Sequence, residues 1–120
     1  MARRRILVAD DEEGIPESLN LILGGEHELV FTRDGEETLD RLRSETFDLA
    51  LLDIKMPKLD GLEILRRLQK AQRTTPILVL TAYQSVELAK EALKLGAVDY
   101  LPKPFEREQI LDAVNEVLDR

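Results

Sequence analysis

Short, unbroken apolar clusters alternate along the chain with longer stretches of helical spacing. Ile6-Leu7-Val8-Ala9, Glu28-Leu29-Val30-Phe31, Leu49-Ala50-Leu51-Leu52, Ile77-Leu78-Val79-Leu80 and Asp99-Tyr100-Leu101 read as strands. Their apolarity is continuous rather than alternating, which suits strands covered on both faces, as in a parallel sheet. The second cluster is flanked by polar residues and is expected near an edge. Between the clusters, Ile15, Leu19 and Ile22 repeat at helical spacing, and Gly24-Gly25 stops that helix. Leu39 and Leu42 mark a second helix. Leu62, Leu65 and Leu68 mark a third, opened by Asp60 with Glu63 three residues on, the spacing of a capping box. Val86, Ala89 and Leu93 mark a fourth, closed by Gly96, and Ile110, Leu111, Val114, Val117 and Leu118 give the last and clearest stripe. Strand and helix thus alternate throughout, an α/β pattern in which right-handed crossovers put helices on both faces of one sheet. The last helix runs to Asp119-Arg120 with no Gly or Pro to stop it, as in a chain cut from a longer one.

Composition narrows the classes. The 120 residues suffice for one core and one domain, and with no Cys there is neither a disulfide nor a Cys-based metal site. No apolar run exceeds four residues, so nothing in the sequence spans a bilayer as a helix. Arg3-Arg4-Arg5 resembles the start of a signal peptide, but Asp10-Asp11-Glu12-Glu13 follows too soon. The 24 acidic against 17 basic residues, a formal net charge of −7, argue against direct nucleic-acid binding. A cytoplasmic domain with no membrane partner is expected.

In open α/β sheets, ligands bind beyond the carboxyl ends of the strands. Strand one runs into Asp10-Asp11, strand three into Asp53, strand four into Thr81 and strand five into Lys103. Converging carboxylates repel by about 4 kcal/mol at 4 Å near a protein surface and call for a counter-cation. Oxygen-only ligands suit Mg²⁺, with Mn²⁺ as the substitute. A metal beside a carboxylate and a lysine is an arrangement for phosphoryl transfer, with Asp53 as nucleophile. Removing one of these carboxylates should stabilise the metal-free fold.

Five motifs in order carry a resemblance: Asp10-Asp11; Leu51-Leu52-Asp53-Ile54-Lys55-Met56-Pro57; Asp60-Gly61; Thr81-Ala82; and Tyr100-Leu101-Pro102-Lys103-Pro104-Phe105. Together, and over the whole chain, they resemble the receiver domain of bacterial two-component response regulators. The resemblance implies a doubly wound, flavodoxin-like (βα)5 fold of strand order 2-1-3-4-5. Residues 1–120 would form a single receiver domain with no output domain. Asp53 would accept a phosphoryl group from a sensor histidine kinase or a phosphotransfer protein. Asp11 would ligate Mg²⁺ directly, Asp10 through water, and the Lys55 backbone carbonyl would complete the protein ligands with Asp53. Thr81 and Lys103 would bind the phosphoryl group, Tyr100 would act as a switch, and the Lys103–Pro104 bond would be cis. The chain would be a phosphoacceptor, catalysing only its own phosphorylation and slow dephosphorylation. A homodimer would form through the face of the fourth helix, fifth strand and fifth helix. Lys55 and Tyr83 flank the path of a hydrolytic water in the family, and neither side chain aligns it. Thr81–Glu87 is similar to receivers of σ54-dependent, NtrC-like activators, which have Gly where Gln84 stands.

Blander readings stand beside these. Asp10-Asp11 and Asp53 could be turn residues, Thr81 a strand terminator, Lys103 a solvated lysine and Tyr100 an edge-strand aromatic. His27 reads as a surface turn residue. A Mg²⁺-dependent phosphohydrolase with an aspartyl nucleophile usually needs a second acid where Lys55 stands. A nucleotide or flavin binder would need a Gly-rich loop where Asp10-Asp11-Glu12-Glu13-Gly14 stands. A receiver-like interaction module that is never phosphorylated is the third alternative.

Overall fold

The computed structural model describes residues 3–82 and 86–120. Strands β1 (Arg5–Ala9), β2 (Glu28–Thr32), β3 (Leu49–Asp53), β4 (Ile77–Ala82) and β5 (Asp99–Lys103) alternate with helices α1 (Ile15–Leu23), α2 (Gly35–Ser44), α3 (Gly61–Lys70), α4 (Val86–Lys94) and α5 (Arg107–Leu118). All strand pairs are parallel, in the order β2-β1-β3-β4-β5. The sheet is therefore doubly wound and flavodoxin-like, as the resemblance implied. Its unbroken apolar strands are explained by cover on both sides. Leu7, Leu52 and Val79 face the core shared with Leu39, Ile64 and Ala92. Val8, Leu51 and Leu80 face Leu19, Ile110 and Val114 on the other side. The second cluster does lie at an edge, and β5 forms the opposite one.

Two local expectations change. In α4 the buried residues are Ala89 and Ala92, whereas Val86 and Leu93 are exposed. The helix packs Ala89, Ala92 and the half-buried Leu88 against the protein and leaves Val86 and Leu93 to solvent; Tyr100 of β5 is exposed as well. The Asp60–Glu63 capping box is half made. Asp60 Oδ1 accepts from the Glu63 N–H at 2.9 Å, but the Glu63 carboxylate turns to Arg66 and Arg67. Gly96 ends α4 as expected. At φ 108 it lets the Ala97 N–H reach the Ala92 carbonyl at 3.0 Å, the closing bond of a Schellman turn.

The amino ends of the strands are tied by one residue. Arg5 donates its backbone N–H to Asp48 at 2.8 Å, and its guanidinium to Glu28 at 2.9 Å and to Glu45. The same guanidinium lies 4.6 Å from the centre of the Phe47 ring. Arg5 thereby joins β1 to the starts of β2 and β3 and the end of α2, at the pole opposite the strand ends considered next.

Candidate phosphoacceptor and metal site

Parallel strands present all their carboxyl ends to one side, and register decides which side chains meet there. Ala9 pairs with Leu52, so Asp10 and Asp53 emerge together from neighbouring strands. Asp53 pairs with Leu80 and Ala82 with Lys103, which brings Thr81 and the lysine to the same edge. One carboxylate oxygen each from Asp10, Asp11 and Asp53 falls within 4.8 Å of the others. Asp10 is fully buried, Asp53 is 8% exposed, and Asp11 faces solvent.

Lys103 threads into this cluster. Its Nζ stands 2.7 Å from Asp10 Oδ2, 3.2 Å from Asp53 Oδ2 and 3.6 Å from Glu12 Oε1. Asp10 Oδ2 has no aligned hydrogen-bond donor, so charge rather than a directed bond holds it to the ammonium. The other oxygens are anchored by backbone. Asp10 Oδ1 accepts from the Glu12 N–H at 2.8 Å, and Asp53 Oδ1 from the Lys55 N–H at 3.2 Å. Burial pushes the Asp53 carboxyl up to about 6; the Asp10 charge adds to this, and the Lys103 ammonium opposes it. Burial by itself would lower Lys103, but its close ionic contacts with Asp10 and Asp53 prevail and hold it above the usual lysine value. The lysine is a fixed cation here, not a base.

Three carboxylates and one ammonium leave two negative charges in a small space, which matches a divalent cation. A buried carboxylate oxygen without a directed donor and an exposed carboxylate beside it provide hard oxygen ligands of the kind Mg²⁺ takes. The residues present therefore fit the ion.

A cleft of about 660 Å³ opens over Asp53 and is lined by Asp11, Lys55, Thr81, Lys103 and Phe105, among others. Thr81 is buried, and among the described residues its hydroxyl makes a long 3.4 Å contact to the Ala82 carbonyl. The Lys103–Pro104 peptide bond is cis. The structure thus gathers Asp10, Asp11, Asp53, Lys55, Thr81 and Lys103 at one edge. Tyr100 does not line the cleft; it lies exposed on β5. Tyr83 and the other residues between Ala82 and Val86 lie outside the described residues, as does the centre of the Thr81–Glu87 segment. Sequence reasoning missed Glu12 as a third anion around Lys103, although four acids in a row after a strand were its signal.

Comparison with known proteins bears on the fold and the family of the whole chain. Residues 6–115 match the model of the response regulator receiver domain. The response regulator MprA of Mycolicibacterium vanbaalenii is 44% identical over 117 residues, 97% of this chain and 51% of that protein. The chain thus spans about half the length of such relatives. The receiver domain of response regulator 1452 from Francisella superposes with a TM-score of 0.90 at 33% identity, covering 98% of each chain. NtrX from Brucella abortus does so with 0.89 at 29% identity, over 98% of this chain and 27% of that one. Acidic cluster, lysine and hydroxyl stand where parallel β strands end in a fold of this order, and a family model spans nearly the whole chain: this protein belongs to the response regulator receiver domain family.

Proposed function

We propose that Asp53 is the phosphoacceptor, that it takes the phosphoryl group from a phosphohistidine of a sensor kinase or phosphotransfer protein, and that Mg²⁺ is required. The observation that carries this reading is the Asp53 carboxylate at the mouth of the cleft with the Lys103 ammonium 3.2 Å away. Asp11, Asp53 and the Lys55 carbonyl would hold the ion, with Asp10 acting through water. When bound, Mg²⁺ supplies neutralising charge to the carboxylates and polarises the phosphoryl oxygens. A carboxylate oxygen of Asp53 attacks phosphorus while the P–N bond to the donor imidazole breaks. The electron pair leaves with the imidazole nitrogen, which takes up a proton. The Lys55 N–H keeps the Asp53 carboxylate oriented, and Lys103 moves its charge from the carboxylate to the incoming equatorial oxygens. The phosphoryl group carries roughly −1.5 to −2 of charge, about one unit at most beyond the carboxylate it replaces, and Thr81 turns its hydroxyl to it. That turn leaves space which Tyr100 fills from the edge strand, biasing a two-state equilibrium. Val86, Leu93 and Tyr100 form an exposed apolar patch on α4 and β5, and we assign a homodimer contact to it. The likeness to NtrX supports an NtrC-like subfamily.

Incubation with Mg²⁺ and a small-molecule acyl phosphate should add one phosphate to the intact mass, and Asp53→Asn should add none. An unchanged wild-type mass would sink the proposal. The same samples give the half-life of the product and, on a sizing column, its association state. Lys55→Asn should shorten the half-life severalfold, because an amide can align a hydrolytic water where the lysine does not. A longer half-life would contradict that role.

A further inference from the structure

The loop that joins β3 to α3 carries Lys55, and it has a backstop outside the cleft. Gly35, the first residue of α2, donates its N–H to the Pro57 carbonyl at 3.0 Å, and the Leu59 N–H shares that carbonyl at 2.8 Å. Gly35 is buried. A Cβ there would run into the Leu59 carbonyl oxygen and stand 2.6 Å from both the Leu59 carbonyl carbon and its Cβ. Between these contacts Lys58 adopts φ 70, and its ammonium reaches Asp34 Oδ2 at 3.6 Å. The base of the loop is closed separately. The Gly61 N–H donates to the Ile54 carbonyl at 2.7 Å, and a Cβ on Gly61 would approach the Asp53 carbonyl oxygen to 2.9 Å.

The backstop itself is rigid. Asp34 caps α2 by accepting from the Glu37 N–H at 2.9 Å. The Thr38 hydroxyl donates to the Asp34 carbonyl at 2.8 Å. The buried Thr32 and Thr38 hydroxyls are 2.7 Å apart. Since the Thr38 proton is committed to Asp34, Thr32 is the donor of that pair. The Thr32 carbonyl in turn accepts from the Asp10 N–H at 3.3 Å. A hydrogen-bonded path thus runs from Asp10 through β2 and the first turn of α2 to the tip of the loop.

We infer that Gly35 is a positioning residue for the phosphoacceptor loop. Its missing side chain lets α2 close on residues 57–59, and with Gly61 pinning the base, the peptide of Lys55 is fixed between them. That peptide orients Asp53 through its N–H and, on the preceding reading, ligates Mg²⁺ through its carbonyl; the inference rests on that reading. An alanine at 35 drives the loop tip outward, and because the base cannot follow, the displacement falls on residues 55–58.

Mg²⁺ titration followed by amide resonances tests this without any phosphorylation. In the wild type the Gly35 amide should shift with the same midpoint as the Lys55 amide. Gly35→Ala should weaken Mg²⁺ binding about tenfold, the usual scale for loss of a residue that supports a metal ligand. Leu39→Ala lies on the same helix but faces the core; it should lower the melting temperature and leave the Mg²⁺ affinity within about twofold. Wild-type affinity in Gly35→Ala overturns the inference alone. Should that variant fail to fold, a wild-type Gly35 amide that stays still while Lys55 shifts overturns it equally. If neither Asp53 nor Lys55 responds to Mg²⁺ in the wild type, the metal assignment falls and the inference falls with it.

Discussion

Lys103→Met should destabilise the metal-free protein by about 3 kcal/mol, because it strands a fully buried carboxylate without its cation. Asp10 has no exposure, and Lys103 Nζ at 2.7 Å is the cation that reaches its Oδ2. Asp53 loses the same partner. Methionine replaces the stem volume, so the loss reports charge and not a cavity. Two further results separate this from ordinary core damage. The deficit should shrink as pH falls through about 6 and Asp53 takes up a proton. It should also shrink in Mg²⁺, since the metal replaces the missing positive charge, and Mg²⁺ should bind more tightly to the variant than to the wild type. Phosphoryl acceptance should nevertheless fall, by about 100-fold or more, because a cation aimed at the equatorial oxygens is absent in the transition state. Denaturant melts with and without Mg²⁺, and rates with an acyl phosphate, check each part. An equal deficit in both melts would mean that Lys103 is not the internal counter-ion.

Asp53→Asn should move the metal-free protein the other way, toward higher stability at neutral pH. The folded carboxyl titrates at about 6, above its unfolded value of about 3.9, so the charged form is the one disfavoured by folding. The penalty is present in full above about pH 6 and vanishes below the unfolded value. Between those limits the folded state binds more protons, and Asp53 alone makes wild-type stability rise as pH falls. Partial solvent access and the Lys103 contact reduce the gain expected from the asparagine to ~1–2 kcal/mol at pH 7. That corresponds to a rise of about 3–10 °C in melting temperature. At pH 4 the variant and the wild type should converge. A variant that melts lower at pH 7, or a difference independent of pH, would show that the cluster carries no such strain. This sharpens the expectation drawn from the bare sequence by naming Asp53, whose burial disfavours its charge.

The fold was legible because the three central strands carry the same signal. Leu49–Leu52 and Ile77–Leu80 are apolar without interruption, a pattern that only cover on both faces satisfies, and each ends in a polar residue that must lie at the edge. The stripe read for α4 held at Ala89 and missed at Val86 and Leu93: the helix buries Ala89 and Ala92 and packs Leu88 against the core, leaving Val86 and Leu93 outside. The capping box at Asp60 likewise held in part. Glu63 has two arginines on its own helix to choose from, whereas the return bond appears instead where Gln109 accepts from the Glu106 N–H. At the site, residue types and their order were readable, but pairings were not. Lys103 meets Asp10 from 93 positions away and Gly35 meets Leu59 across two elements, and no local pattern encodes such contacts.

The Arg5 clamp gives the molecule a fulcrum. The acidic site lies at one pole of the sheet, while β1, β2, β3 and α2 are riveted together at the other by a single guanidinium and its backbone N–H. On the proposed function, a rearrangement begun at Asp53 is expected to fall on the loops and the β4–β5 side, which the clamp does not reach. A domain built this way can exchange its loops for new partners over evolutionary time without renegotiating how it folds.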